Sequence, residues 1–206
     1  AAISAGTLSE EIVPVLIPQR KGDPISFEID EGVRSGTDAA GLAKLRPAFA
    51  ESGNITAGNA SQISDGGSAI VVVSRTFADS HGVDPLANLI SYGQVAGPDT
   101  SLLTQPSRAI NQSLDTAEMS LSDIDLFEIN EAFAAVSAAS MKDLGLSNDI
   151  VNVNGGAVAM GHPLGCTGAK LTIQLLNEMQ RRNQKYGMVT ACVGGGQGIA
   201  GIFERL

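Results

Sequence analysis

Tryptophan is absent from these 206 residues, histidine and cysteine occur twice each, and aromatic side chains make up only 4%. Each shortage closes off a class of protein. Two cysteines, Cys166 and Cys192, cannot build a disulfide framework, which points to a reducing compartment, the cytoplasm by preference. The two histidines and two cysteines are wrongly spaced for zinc, with His81 in a polar turn, so no metal site is expected. Basic residues are scarce: 13 Lys and Arg face 22 Asp and Glu, for a net charge of −9 and a pI near 4.6. That balance argues against nucleic acid or an anionic membrane as the main partner, although local basic residues can still bind a phosphorylated ligand. No apolar run reaches membrane-spanning length, and no signal-peptide pattern is present. An initiator Met is lacking too, and the apolar strand residues begin almost at once after Ala1-Ala-Ile-Ser4.

Glycine is what the chain has in plenty. There are 24, alongside 43% hydrophobic and only 17% charged residues, a composition that suits a loop-rich α/β enzyme. Two segments concentrate them: Asn152 to Lys170, which carries His162 in a Gly-His-Pro turn, and Thr190 to Gly198, which carries Cys192 before three glycines. Glycine in such loops lets a ligand approach main-chain N–H groups, which is how oxyanions are stabilised. One reactive side chain in each loop suggests acid–base or thiol chemistry. For either loop alone, a tight turn around a core His or Cys is the plainer explanation. Both together favour a site.

Periodicity supplies the frame. Strands are expected at Ile12–Ile17, Ile25–Ile29, Leu86–Tyr92, Leu126–Ile129, Ile150–Val153, Met188–Val193 and Ile199–Glu204. Gly67–Ser74 reads as a strand buried on both faces, because it is short, apolar and β-branched. Helices are expected at Asp38–Phe49, Gln105–Thr116, Glu131–Leu144 and Gly168–Asn183, the last capped near Thr167. Alternation of the two predicts a layered α/β fold.

On these residues the chain resembles the thiolase family, the acyl-CoA acetyltransferases and 3-ketoacyl-CoA thiolases. The resemblance rests on Asn130-Glu-Ala-Phe-Ala134, Asn154-Gly-Gly-Ala-Val-Ala-Met-Gly-His-Pro163 and Cys192-Val-Gly-Gly-Gly-Gln-Gly198. Leu45-Arg-Pro-Ala-Phe49 and Thr56-Ala-Gly-Asn-Ala-Ser61 look like the family's CoA-binding loop segment. The implied fold is a layered α-β-α-β-α thiolase fold, here its C-terminal half plus part of the loop domain. Residues 1–63 would belong to the CoA-binding loop domain, 64–82 would return a strand to the N-terminal domain, and 83–206 would form the C-terminal domain.

The resemblance also implies roles. His162 takes the nucleophile's proton and donates to a thioester oxygen; Cys192 removes the α-proton of a second acetyl-CoA and later protonates the departing CoA. Asn130 holds a water that acts with His162, although a simple helix N-cap explains it as well. The Gly194 N–H lines an oxyanion hole. Ser61 contacts the pantetheine arm, Phe49, Ala57, Ala132 and Phe133 pack along the substrate, and Arg34 sits near its adenine and phosphate end. Glu131 is explained by the dipole of the helix it opens. No cofactor is implied; acetyl-CoA, acetoacetyl-CoA and CoA are substrates and products, and a homo-oligomer is expected of the complete enzyme.

One departure matters. The family carries its acyl-accepting cysteine in an N-terminal half, and neither Cys166 nor Cys192 stands in that motif. The chain is therefore expected to be the C-terminal part of a thiolase, inactive alone and completed by the missing half. A non-enzymatic CoA-contacting fragment or one subunit of a split enzyme is the alternative. The decarboxylating condensing enzymes are opposed by Cys192, since they lack a basic cysteine there.

Overall fold

The opening third of the chain buries little. The structure, a computed structural model, describes all 206 residues. Strands β1 (Val15–Ile17) and β2 (Ile25–Phe27) pair antiparallel with every residue exposed. Helix α1 covers only Ala39–Leu42, where Asp38 accepts the Gly41 N–H at 2.7 Å. The helix expected to run to Phe49 stops because Pro47 disfavours helical geometry at Arg46. Pro47 instead bridges to Thr56, and the Ala48 N–H donates to the Ile55 carbonyl at 2.8 Å.

Residues 67–74 correct the expectation of a buried strand. They are unpaired and carry Val71 and Val72 at 88% and 84% exposure. The reason is that no strand of the structure lies beside them. Helix α2 (Arg75–His81) follows, a feature the sequence reading missed; Ser74 accepts the Phe77 N–H at 3.1 Å and left-handed Gly82 closes it.

The remainder is one four-stranded sheet with helices on both faces. Strands β3 (Ala87–Ala96), β4 (Leu126–Ile129), β5 (Tyr186–Val193) and β6 (Gln197–Arg205) lie in the order β3-β6-β5-β4. β6 runs antiparallel to both neighbours, and β4 runs parallel to β5. On one face pack α3 (Gln105–Ala117) and α4 (Ala134–Leu144), which begins three residues later than expected. Ala109, Ile110 and Leu114 meet Phe127, Ile129, Met188 and Ile202 there. Each such side chain contributes roughly 1.5–3 kcal/mol on burial. Glycine is required at position 93, where a Cβ would stand 2.3 Å from the Ala109 carbonyl, so α3 rests directly on the backbone of β3.

On the other face, after the single turn α5 (Ala157–Met160), lies α6 (Thr167–Arg182). Its Leu175 and Met179 pack on Leu126 of β4. The strand expected at Ile150–Val153 is reduced to one bridge between Val151 and Phe127. Asn152, at φ 47°, turns the chain out of the ladder, a conformation asparagine tolerates better than most residues.

Candidate active site

Strand β4 ends at Ile129, opposite Thr190 of the parallel strand β5, which runs on to Val193. The Asn130 N–H continues the ladder to the Thr190 carbonyl at 2.9 Å, which sets Asn130 beside the strand that reaches Cys192 two residues later. The carboxyl ends of adjacent parallel strands are where open α/β sheets present ligand sites.

The loop bearing His162 is pinned to this strand end. Asn152 exchanges two hydrogen bonds with the Ile129 backbone, accepting at 2.8 Å and donating at 2.9 Å, and so replaces a missing rung of the ladder. The same amide donates to Glu131 at 3.1 Å, and the other Glu131 oxygen accepts the Val158 N–H at 3.1 Å. Glu131 therefore serves the start of α5 rather than its own following helix, which corrects the helix-dipole reading. Further along, Asn154 donates to Glu178 at 2.8 Å, and Glu178 also pairs with Arg181 and Arg182. Burial works to raise the Glu178 carboxyl, but Asn154 and the two arginines bring it below its ordinary value. Gly161, at φ 94°, has no room for a Cβ, which would stand 2.1 Å from the Ser64 hydroxyl.

His162 meets Asn130 at the end of that loop. The Asn130 amide nitrogen lies 3.3 Å from His162 Nε2, and Thr167 Oγ1 lies 2.7 Å from Nδ1. Partial burial, and then the Lys170 charge, lower the imidazole pKa below its ordinary value, so the ring is neutral at neutral pH. Asn130 is fully buried and its Oδ1 has no partner. It does not cap a helix, since the cap of α4 is Phe133.

Cys192 is 8% exposed, and burial pushes its thiol pKa above the ordinary value against a lowering from its own backbone N–H. No cation contributes to that shift, so within this chain Cys192 rests as a thiol. Gly194 follows in the exposed β5–β6 turn, its carbonyl taking the Gln197 side chain at 3.0 Å and its N–H without a partner in the chain.

The substrate-contact candidates gather on a second ledge. The Ser61 N–H donates to the Ala132 carbonyl at 3.1 Å, the Ala134 N–H donates to Asn59 at 2.8 Å, and Ala60 bridges to Phe133. Phe49 meets the Phe133 ring edge-on with centroids 5.9 Å apart, and Ala57 is exposed on the turn between the Pro47–Thr56 bridge and Ser61. Gln62 donates to the Ala159 carbonyl at 3.0 Å and Ser68 to the Cys166 carbonyl at 2.8 Å, so the ledge is tied to the His162 loop. Arg34 stands apart: it is exposed, and its guanidinium makes no hydrogen bond or ion pair. A cavity of about 280 Å³ adjoins the turn, bounded by Pro163, Cys166, Lys170, Glu11 and Phe27. Thr167, Glu131, Gln62 and Ser68 were not singled out as site residues from the sequence, because short polar residues near helix starts and in loops read as caps and turns.

A neutral imidazole paired with a buried amide at the end of β4, and a buried thiol before a glycine turn at the end of β5, are groups that can give and take protons. The profile described as thiolase, C-terminal domain, matches residues 83–205, and that of thiolase, N-terminal domain, matches residues 1–76. The chain belongs to the thiolase family. It is 50% identical over 204 residues to a probable acetyl-CoA acetyltransferase of Mycobacterium tuberculosis, covering 99% of this chain and 52% of that protein. The crystal structure of the Bacillus anthracis acetyl-CoA acetyltransferase superposes with a TM-score of 0.94 at 42% identity, covering 100% of this chain and 52% of that one. Human mitochondrial 3-ketoacyl-CoA thiolase in complex with CoA gives 0.92 at 40% identity, covering 100% of this chain and 50% of that one. The chain thus spans about half the length of the curated relatives it matches.

Proposed function

We propose that this chain supplies the proton-transfer half of an acetyl-CoA acetyltransferase, which makes or cleaves acetoacetyl-CoA or another 3-ketoacyl-CoA. The carrying observation is the contact between His162 and Asn130 beside the strand that carries Cys192. Three roles follow. Neutral His162 accepts the proton of an acyl-accepting cysteine and then, with Asn130, polarises the thioester oxygen of the incoming acetyl-CoA. The Cys192 thiol gives its proton to the CoA thiolate released on acylation and, as a thiolate, takes the α-proton of that acetyl group. The resulting enolate attacks the acyl-enzyme carbonyl and expels the acyl-accepting cysteine, which regains its proton from His162. The free Gly194 N–H faces the oxyanion formed on the acyl group, a donor of the kind that typically contributes about 10²–10³ in rate.

On this reading the acyl-accepting cysteine comes from sequence outside these residues, in the N-terminal half that the longer relatives carry. Residues 1–63 form part of the CoA-binding loop domain, 64–82 lead back to the N-terminal domain, and 83–206 form the C-terminal domain. Ser61, Phe49, Ala57, Ala132 and Phe133 face the pantetheine arm, and Arg34 serves the phosphate end when CoA is bound. The complete enzyme is a homo-oligomer. Its place is the cytoplasm, which the two free thiols support.

The test joins this chain to the N-terminal half of a relative and follows both half-reactions with acetyl-CoA. Cys192→Ser is expected to abolish condensation and to spare acylation, because α-proton removal needs that thiol, whereas the CoA released on acylation can take its proton from water. Loss of acylation together with condensation contradicts the assignment.

A further inference from the structure

The Asn130–His162 contact is ambiguous in one respect. A carboxamide has nearly the same shape after a half-turn, so Asn130 can donate through Nδ2 to a bare Nε2 or accept through Oδ1 from a protonated one. The second arrangement would also give the orphaned Oδ1 a partner, and nothing in the pair itself excludes it. Only a base with a free Nε2 can take a proton from a nucleophile on that side. Something outside the pair must choose.

Thr167 is placed to do so. Its hydroxyl oxygen lies 2.7 Å from Nδ1, on the opposite edge of the imidazole, and 2.9 Å from the Pro163 carbonyl. The second contact is the back-bond that a threonine makes to the carbonyl four residues earlier at a helix start. A hydroxyl has one proton, and a carbonyl can only accept. Donation to Pro163 leaves the Thr167 oxygen as an acceptor toward the ring, so Nδ1 must carry the hydrogen. That carbonyl also takes the N–H groups of Cys166 and Thr167, both at 3.0 Å, which fixes the first turn of α6 and holds the hydroxyl in position. Thr167 is 4% exposed, so water does not compete for the hydroxyl.

We infer that Thr167 is a positioning residue that holds His162 in its Nδ1–H tautomer, and through it turns the Asn130 amide so that Nδ2 faces the ring. The consequence for chemistry, which rests on the proposed role of His162 as base, is that Nε2 stays unprotonated, its lone pair held only by the 3.3 Å contact from the Asn130 amide, which yields when the nucleophile's proton arrives. Asn130 Oδ1 is then left as a buried acceptor, free to hold a water. The sequence hint was Thr167 five residues after His162, which reads as an ordinary helix cap.

The test uses the 206-residue chain labelled with ¹⁵N in histidine, whose two rings are read by long-range ¹H–¹⁵N correlation. Wild type is expected to show a pyrrole-type Nδ1 and a pyridine-type Nε2 for His162. Thr167→Val removes the acceptor without changing the shape and is expected to shift the ring to the Nε2–H form or to a mixture; Thr167→Ser is expected to restore the wild-type pattern. An Nε2–H tautomer in the wild type overturns the inference, even if the valine variant does not fold. So does an unchanged Nδ1–H pattern in folded Thr167→Val. The spectrum needs no substrate and stands or falls apart from the proposed acetyltransferase function. In the joined enzyme the valine variant is expected to lose at least about 10-fold in both half-reactions with serine rescuing, a wrong tautomer in a Ser-His-Asp triad costing ~10⁴.

Discussion

Burial acts in opposite senses on the two titrating side chains of the site, and both come to rest uncharged. It holds the His162 imidazole below its ordinary pKa and the Cys192 thiol above its own. On the proposed mechanism Cys192 is therefore activated during the reaction instead of waiting as a thiolate. Alkylation of Cys192 by iodoacetamide, followed by peptide mapping across pH, is expected to be half-maximal above the ordinary thiol range of about 8.5. A midpoint below neutrality would contradict the burial argument. His162→Ala in the joined enzyme is expected to slow acylation and condensation alike, by about 10²–10³ if it removes only an oxyanion donor. Near wild-type turnover would reduce His162 to a structural residue. His162 and Cys192 stood out in the sequence because glycine-dense motifs surround them, and Asn130 stood out through the family-like run Asn130-Glu-Ala-Phe-Ala134. Thr167 and Glu131 were not, because their partners lie across a loop or on another element and no local pattern records that.

At the scale of elements, the His162 loop is held less by its own turns than by three side chains from outside or beside it. Asn152 extends β4, Glu131 holds the start of α5, and Glu178 holds Asn154. Glu131→Ala leaves the Asn152 amide and the Val158 N–H without their acceptor and is expected to destabilise the chain by about 1–3 kcal/mol. Urea unfolding measures that loss, and a change within error would mean that the loop is held by its turns alone. The long amphipathic helices α3 and α6 and the strands β4 and β5 were readable because local period and tertiary burial agree. The segments that departed did so where a neighbour decides. Asp38–Phe49 is cut short by Pro47 and its bridge to Thr56, and Ile150–Val153 is cut short by Asn152. Residues 67–74 have strand chemistry without a strand beside them.

The whole molecule couples its stability to pH through a carboxyl beneath α6. Glu128, 2% exposed on β4 with one oxygen unpartnered, is pushed up to about 8 by burial, and Glu11 beside the cavity rises to about 7 for the same reason. Between about 4.5 and 8 the folded chain keeps the Glu128 proton and the unfolded chain has released it. The unfolded state binds fewer protons there, so stability falls as pH rises through that window. Glu128→Gln is expected to flatten the decline to the share left by Glu11, as read by urea unfolding across the window. An unchanged slope would mean that Glu128 ionises without cost.

The exposed run Ile70–Val72 gives the isolated chain an unpaired β-branched edge that favours association, and pairing with an N-terminal half is expected to suppress it. The most direct test of the account incubates the mass-verified 206-residue chain with acetyl-CoA or acetoacetyl-CoA and follows intact mass together with thiolysis. The account predicts no acetyl group on Cys166 or Cys192 and no thiolysis, with both restored once the chain is joined to a half carrying the acyl-accepting cysteine. Robust thiolysis by the chain alone, with acetyl trapped on either of its cysteines, would contradict it.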